Sequence, residues 1–234
     1  MYYIMLSERI SSIFKKISYA ALKVDRNPEE VRLIAVTKSQ PVDKIIEAAD
    51  LGLRIFGESR VQEAKEKIEK ITEFKIEWHM IGHLQTNKAK EAVRLFSLIH
   101  SVDSEKLAIA LDREASKFGK LQRILIQVKL SDEETKFGVK ETEVEKLIQS
   151  CIKLKNLKVE GLMTIPPYFE NPEDARFYFR KLRQIRDGLI DKYDFLKELS
   201  MGMSHDFEVA IEEGATMVRI GSALFGQRIN GEVK

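Results

Sequence analysis

One lysine stands where an apolar segment of the chain ends. Residues 33–37 read as a buried strand, Lys38 follows them directly, and Pro41 prevents the strand from continuing. Apolar segments of this kind are typical of parallel sheets that are covered on both faces. A primary amine at the carboxyl end of such a strand stands at the edge where α/β proteins place their binding sites. From these residues alone, Lys38 could equally mark the point where the strand reaches water.

Two segments near the end of the chain combine hydroxyl groups with glycine in a way that suits phosphate. Residues 202–206 place Ser204 where the N-cap of a helix is expected, and residues 219–222 place Gly221 and Ser222 at the start of another helix. Free N–H groups and the positive end of a helix dipole favour a dianion at such positions. By itself Ser204 reads as an ordinary helix cap, but two segments with the same chemistry favour phosphate.

The lysine and the phosphate segments together predict a Schiff base with a phosphorylated aldehyde. We expect Lys38 to lie across a barrel mouth from the phosphate. Pyridoxal 5′-phosphate is the obvious candidate, because its proteins combine a lysine Schiff base, a phosphate cup and a partner for the pyridine nitrogen. Arg219 could be that partner, and since arginine stays charged it would donate to an unprotonated nitrogen. A neutral ring withdraws electrons weakly, which predicts poor stabilisation of a carbanion.

These side chains need a scaffold that brings strand ends together, and the chain alternates strands with helices throughout. The pattern predicts a helix over residues 4–24 and strands at residues 33–38, 53–56, 76–81, 98–101, 123–130, 157–163, 196–201 and 215–220, each followed by a helix. Such alternation indicates a parallel sheet with right-handed crossovers. Eight units in 234 residues favour a single (β/α)8 TIM barrel with an extra N-terminal helix over an open sheet. We expect residues 1–234 to form one domain.

Composition narrows the classes of function. Hydrophobic residues make up 44% and charged residues 32% of the chain, and the formal charge is only +2 with both signs interleaved, so we expect a globular protein that binds no nucleic acid. The single cysteine, Cys151, predicts a reducing compartment. Residues 1–6 lack the long apolar core of a signal peptide, and no segment approaches membrane-spanning length, so we expect a cytoplasmic protein without a membrane partner. The four histidines are scattered without metal-ligand spacing, and no metal site is expected.

Seven segments between residues 31 and 228 carry the most distinctive residue combinations. They are residues 35–38 (AVTK), 57–63 (GESRVQE), 78–88 (WHMIGHLQTNK), 100–103 (HSVD), 161–164 (GLMT), 201–207 (MGMSHDF) and 218–226 (VRIGSALFG). In this order they resemble the successive motifs of the pyridoxal phosphate homeostasis proteins (the YggS/PROSC family). The resemblance covers nearly the whole chain, which makes it more specific than any single motif.

The resemblance implies a fold and a set of cofactor contacts. The fold would be a barrel similar to the N-terminal domain of alanine racemase and of eukaryotic ornithine decarboxylase. Pyridoxal phosphate would form an aldimine with Lys38, its phosphate would contact Ser204, Gly221 and Ser222, and Arg219 would meet the pyridine nitrogen.

Two further residues at the predicted barrel rim, Ser59 and Met203, complete the predicted cofactor site. The sequence departs from the family at two positions. The family usually has asparagine where Ser59 stands, so a side-chain contact near the cofactor would be lost or mediated by water. The fifth strand commonly ends in asparagine, whereas this chain has Lys129, which leaves a cofactor contact from that position open.

The resemblance also implies a function in cofactor homeostasis without an established reaction. The racemase-type enzymes carry a second, β-rich domain that this sequence is not expected to have, so we assign no catalytic residue. We expect a monomer that binds pyridoxal phosphate and passes it to pyridoxal-phosphate-dependent apoenzymes. Two alternatives remain open: an amino-acid racemase or lyase that uses the same Schiff base, and an aldolase-like barrel in which Lys38 attacks a sugar phosphate.

Overall fold

A sheet of parallel strands closes on itself in the computed structural model, which describes residues 2–131, 133 and 136–226. The strands are β1 Arg32–Val36, β2 Ile55–Glu58, β3 Glu77–Met80, β4 Leu98–Val102, β5 Gln122–Lys129, β6 Val139–Lys140, β7 Leu157–Met163, β8 Glu198–Met203 and β9 Met217–Ile220. Each strand except β6 pairs with two neighbours in the ring, which the β1–β9 and β4–β5 pairings close. Strand β6 only extends the edge of β5. In the described part of the chain eight strands therefore form a TIM barrel, and this prediction is confirmed.

Helices follow the strands and cover the outside of the barrel. They are α1 Tyr2–Leu22, α2 Val42–Asp50, α3 Val61–Ile68, α4 Ala89–Leu95, α5 Glu105–Lys117, α6 Val144–Cys151, α7 Arg176–Ile190, α8 Phe207–Glu212 and α9 Ser222–Phe225. The additional helix α1 buries Ile10, Ile13 and Ile17 at helical spacing and packs against α8 and α9. None of the described helices is both long enough and apolar enough to cross a bilayer.

The strand ends differ from the sequence prediction where apolar residues lie outside the hydrogen-bonded ladder. Strand β1 ends at Val36, so Lys38 lies in the turn that follows rather than at the strand end. The second and seventh barrel strands begin and end two residues later than predicted. Burial in the core does not require strand pairing: Leu53 is buried although it precedes β2. The apolar pattern of the sequence alone therefore misplaces the ends of these strands.

Part of the barrel interior is filled by apolar side chains. A small apolar cluster, formed by Ile34, Leu98, Leu125, Met163 and Met217, is separate from the large cluster between strands and helices. Because side chains alternate along each strand, these residues point into the barrel while their neighbours pack against the helices.

The ends of β2 and β3 approach each other closely. A Cβ atom added to Gly82, just after β3, would lie only 2.3 Å from the carbonyl oxygen of Ser59. Any side chain there would push the two backbones apart. The glycine therefore lets the segment after β3 pack directly on the segment that carries Ser59.

We predict that Gly82→Ala lowers the free energy of unfolding by about 1–3 kcal/mol, because the added methyl group overlaps backbone. Gly188→Ala is the matched control: Gly188 lies in helix α7, and an added Cβ would meet no atom within 4 Å other than the backbone of its own helix and its chain neighbours. Alanine there should instead stabilise by about 0.5–1 kcal/mol. Urea unfolding of both variants measures the two changes, and equal effects would contradict the close approach.

Candidate functional site

One cavity of about 340 Å³ lies at the carboxyl end of the barrel strands. Its lining includes all seven residues that the sequence places in a cofactor site, namely Lys38, Ser59, Met203, Ser204, Arg219, Gly221 and Ser222. The volume is within the range that small-molecule sites usually have. The structure therefore brings together side chains that are distant in the sequence, and the cavity is the candidate site.

Lys38 lies beside the predicted phosphate segments and not across the mouth from them. Strand β1 pairs with β9, with Ile34 opposite Arg219. A Cβ added to Gly221 would lie 3.4 Å from the carbonyl oxygen of Val36, so the turns after β1 and β9 are in near contact. The expectation of a lysine on the opposite side is wrong because the first and last barrel strands are neighbours.

The hydroxyl group of Ser204 caps a different segment from the one predicted. Helix α8 begins only at Phe207, and the Ser204 oxygen instead accepts hydrogen bonds from the backbone N–H groups of Gly221 (3.1 Å) and Ala223 (3.2 Å). Helix α9 is a single turn of four residues, so its dipole contributes little, contrary to the sequence argument. The two N–H groups and one hydroxyl nevertheless converge at one place, and the hydroxyl hydrogen remains available as a donor.

The loop after β8 is shaped by one glycine and one carboxylate. Gly202 has φ +89°, and a Cβ there would lie 2.5 Å from the Cβ of Ala210. The backbone N–H of Met203 donates to Asp206 Oδ1 at 2.6 Å. Burial raises the pKa of Asp206 above its ordinary value. These contacts fix the direction in which the chain leaves the strand towards Ser204.

Arg219 forms a buried, charged wall of the cavity. Its side chain is held by two hydrogen bonds, from Nη1 to Ser200 Oγ (2.6 Å) and from Nη2 to the Thr164 carbonyl (2.9 Å), and the residue is only 3% exposed. Burial lowers the pKa of Arg219 to about 10. The guanidinium group therefore stays protonated at neutral pH and retains further N–H donors.

A chain of polar side chains continues from Arg219 through the barrel. Ser200 Oγ lies 2.8 Å from His100 Nδ1, His100 Nε2 lies 3.0 Å from His79 Nδ1, and His79 Nε2 lies 3.0 Å from Glu77 Oε1. The partners assign the tautomers, since Arg219 donates to Ser200, Ser200 to His100, His100 to His79 and His79 to the carboxylate. All four hydrogen bonds then run in one direction with both imidazoles neutral.

Burial and charge support this protonation state. Burial lowers the pKa of His79 below its ordinary value and lowers the pKa of His100 well below 6.5. The hydrogen bond from His79, helped by Arg123, lowers the pKa of Glu77 to about 2. At neutral pH the chain therefore joins a cation at the cavity to a carboxylate near the start of β3.

Sequence reasoning missed part of this arrangement. His79, His100 and Ser200 are not among the predicted site residues. The signal that could have identified them is a polar residue at an inward-facing position of a barrel strand. The cavity lining that was not predicted consists of Val36, Gln40, Ile81, Ile165, His205 and Gly226. Lys129 is not part of that lining; it ends β5 and pairs with β6.

The 78–88 motif contributes mainly to a second, open depression of about 480 Å³ over the ends of β3 and β4. There His83 stacks on Phe137 with ring centroids 3.7 Å apart, and its Nδ1 lies 3.6 Å from Asp103 Oδ2. Across the described residues, no group of three histidine, cysteine or acidic side chains is placed to hold a metal ion.

A family model, related sequences and solved structures all indicate the same family for this chain. The family model for the alanine racemase N-terminal domain matches residues 16–229. A pyridoxal phosphate homeostasis protein of Aquifex aeolicus is 48% identical over 222 residues, which cover 94% of this chain and 97% of that protein. The structure of PipY from Synechococcus elongatus PCC7942, with PLP bound, is similar with a TM-score of 0.83 and 38% identity, covering 94% of this chain and all of that one. Alanine racemase of Clostridium difficile 630, at 16% identity and a TM-score of 0.66, shares the fold over 93% of this chain and 57% of its own.

We predict a pH-dependent role for His100 in stability. Below pH 6.5 the unfolded chain protonates this histidine while the folded chain does not, so the wild-type protein loses stability as the pH falls. His100→Gln lacks this effect. The difference in unfolding free energy between the two proteins should therefore shift by about 1.4 kcal/mol in favour of the variant between pH 7.5 and 5.5. Urea unfolding at both pH values measures the shift, and a constant difference would show that folded His100 accepts a proton.

Proposed function

The chain belongs to the pyridoxal phosphate homeostasis proteins, within the alanine racemase N-terminal domain family, and we propose that its rim cavity binds pyridoxal 5′-phosphate. The relative from Aquifex aeolicus carries that name, and PipY has been solved with PLP. The single observation that carries the proposal is that Lys38 shares one cavity with Ser204 and Gly221. An amine and an anion site in one small cavity match an aldehyde that bears a phosphate.

The amine of Lys38 is the group that would bind the aldehyde covalently. In its unprotonated form the amine would add to the aldehyde carbon, and loss of water, made from the carbonyl oxygen and the two amine hydrogens, would leave a C=N bond, so no further reactant is needed. The turn position of Lys38 suits this reaction, because it brings the amine to the cavity wall beside the last strand. Pyridoxal phosphate bound in this way supplies an electron-withdrawing ring next to the imine.

The phosphate group would be held by the segments after β8 and β9. The hydroxyl oxygen of Ser204 accepts hydrogen bonds from the N–H groups of Gly221 and Ala223, and its hydroxyl hydrogen is a further donor. A dianion could accept from the hydroxyl groups of Ser204 and Ser222, which line the same cavity, and could replace the Ser204 oxygen as the acceptor of the two N–H groups. Ser59 and Met203 line the wall and would contact the rest of the cofactor.

Arg219 would donate to the pyridine nitrogen and keep the ring neutral. Two of its hydrogen bonds fix the guanidinium group from behind, through Ser200 and the Thr164 carbonyl. The guanidinium group holds its proton more tightly than a pyridinium does, so the ring nitrogen would stay unprotonated and the cofactor would stabilise a carbanion only weakly. This supports binding and storage of the cofactor in preference to turnover of an amino acid.

The proposed function includes release of the cofactor to other proteins. We place the protein in the cytoplasm as a monomer that supplies pyridoxal-phosphate-dependent apoenzymes. The single cysteine, Cys151, is buried as a free thiol, which fits a reducing compartment. The cavity lies at the open rim, so the cofactor could leave without unfolding of the barrel. Transfer from loaded protein to an apoenzyme, followed as recovered enzyme activity, tests this step.

We predict that the purified protein gains visible absorbance with pyridoxal phosphate and that Lys38→Ala abolishes it, because only a primary amine at this position can form the imine. Lys129→Ala is the control, since this lysine ends a barrel strand without lining the described cavity. Spectra of the three proteins before and after addition of the cofactor measure the effect. A wild-type protein that stays colourless would contradict the proposed function.

We predict different effects for the two other contacts. Ser204→Ala should weaken cofactor binding by about 1.5–3 kcal/mol through loss of a charge-assisted hydrogen bond. Arg219→Ala should weaken it by a similar amount and should also shift the absorption band more strongly, because Arg219 would touch the ring. Titrations followed by absorbance give both quantities, and equal spectral shifts would disprove the assigned roles.

A further inference from the structure

A buried lysine lies behind the turn that carries Lys38. Lys67, in helix α3, is only 6% exposed, and its ammonium group donates to Glu58 Oε1 (2.7 Å) and Glu63 Oε1 (2.6 Å). Its third hydrogen bond goes to the backbone carbonyl of Thr37 at 2.7 Å. All three donors of the ammonium group are therefore used, and none of the proposed cofactor contacts involves this cluster.

The contacts of the cluster converge on the two residues that flank Lys38. Lys67 holds the carbonyl of Thr37, whose hydroxyl also donates to Glu58 Oε1 at 2.6 Å. On the other side the backbone N–H of Ser39 donates to Glu63 Oε1 at 2.6 Å. The backbone before and after Lys38 is thus fixed by one connected ionic group.

The turn needs such support because its backbone is unusual. Ser39 has φ +59°, a left-handed conformation that residues other than glycine adopt at a cost. The Glu63 carboxylate binds the N–H of this residue, and Gln40 N–H closes the turn on the Thr37 carbonyl at 2.9 Å. Without the cluster, we expect the turn to relax to other conformations.

The cluster is also costly to bury, which argues for a specific role. Glu58 is fully buried, burial raises its pKa, and its Oε2 has no hydrogen-bond partner among the described residues. Buried ion pairs contribute little to stability compared with apolar side chains of similar size. A packing role alone would be served as well by an apolar residue at position 67.

We propose that Lys67, together with Glu58 and Glu63, is a positioning residue that holds the Lys38 turn in the conformation needed for imine formation. The inference rests on the proposed function, because it assigns Lys67 a role in the reaction of Lys38 with an aldehyde. Lys67 itself does not touch the cofactor. It acts on the orientation of the reacting amine through the backbone on either side.

The test compares two ligands that differ only at the reacting carbon. Pyridoxal 5′-phosphate can form the imine, whereas pyridoxine 5′-phosphate has the same ring and phosphate but an alcohol in place of the aldehyde. For Lys67→Met we expect the rate of imine formation, measured by stopped-flow absorbance, to fall about tenfold or more. The affinity for pyridoxine 5′-phosphate should stay within about twofold of the wild-type value, since phosphate and ring contacts are unchanged.

Lys120→Met is the matched control. Lys120 is partly buried, and its ammonium group donates to two backbone carbonyls, those of Val93 and Phe96, both at 2.6 Å. It precedes β5 and so lies at the opposite end of the barrel from the cavity. Its replacement should leave the rate of imine formation unchanged.

A second pair of variants keeps the test decisive if Lys67→Met does not fold. Glu63 lies at the edge of the cluster, with 24% of its side chain exposed. Glu63→Gln keeps an acceptor for the Ser39 N–H and should react close to the wild-type rate, whereas Glu63→Leu removes the acceptor and should react more slowly. This rescue separates a hydrogen-bonded positioning role from a role of charge or packing.

Three outcomes would overturn the inference. Wild-type rates in both Lys67→Met and Glu63→Leu would show that the cluster does not position Lys38, and the proposed function would stand. An equal loss of affinity for both ligands would show a purely structural role. Failure of the wild-type protein to form the imine would overturn the proposed function and this inference with it.

Discussion

The hydrogen bonds between β1 and β9 are the contact on which the arrangement of the site depends. They join the first and last strands of the barrel and set Ile34 beside Arg219. Because all barrel strands are parallel, the turns that follow these two strands emerge at the same rim. The amine of Lys38 and the N–H group of Gly221 are therefore brought to one cavity by strand pairing. Closure of the barrel is thus a requirement for the site as well as for the fold.

Two groups of buried polar side chains hold this cavity from different directions. Inside the barrel, Arg219 is tied to Ser200 and through it to two neutral histidines. Outside the barrel, Lys67 is tied to the turn after β1. Buried charges and donors are expensive unless each finds a partner, so such groups have few alternative arrangements. The guanidinium group and the Lys38 turn are consequently fixed before any ligand binds.

The sequence was sufficient to predict the barrel and to name seven residues that line one cavity, because both depend on local signals. Alternating strands and helices give the topology, and residues directly after strands must reach the rim. The partners of those residues were not predictable in the same way. The bonds from Ser204 to the turn after β9, and from His100 to Ser200, join segments that only the closed barrel brings together. The position of Lys38 in a turn, two residues after β1, likewise depends on ladder hydrogen bonds that an apolar pattern does not specify.

The most direct test of the central claim is to locate the covalent bond between protein and cofactor. The protein is incubated with pyridoxal 5′-phosphate, the imine is reduced with borohydride, and the digested protein is analysed by mass spectrometry. We predict one phosphopyridoxyl group per chain, on Lys38. A label on Lys67 or Lys129, or no label at all, would contradict it.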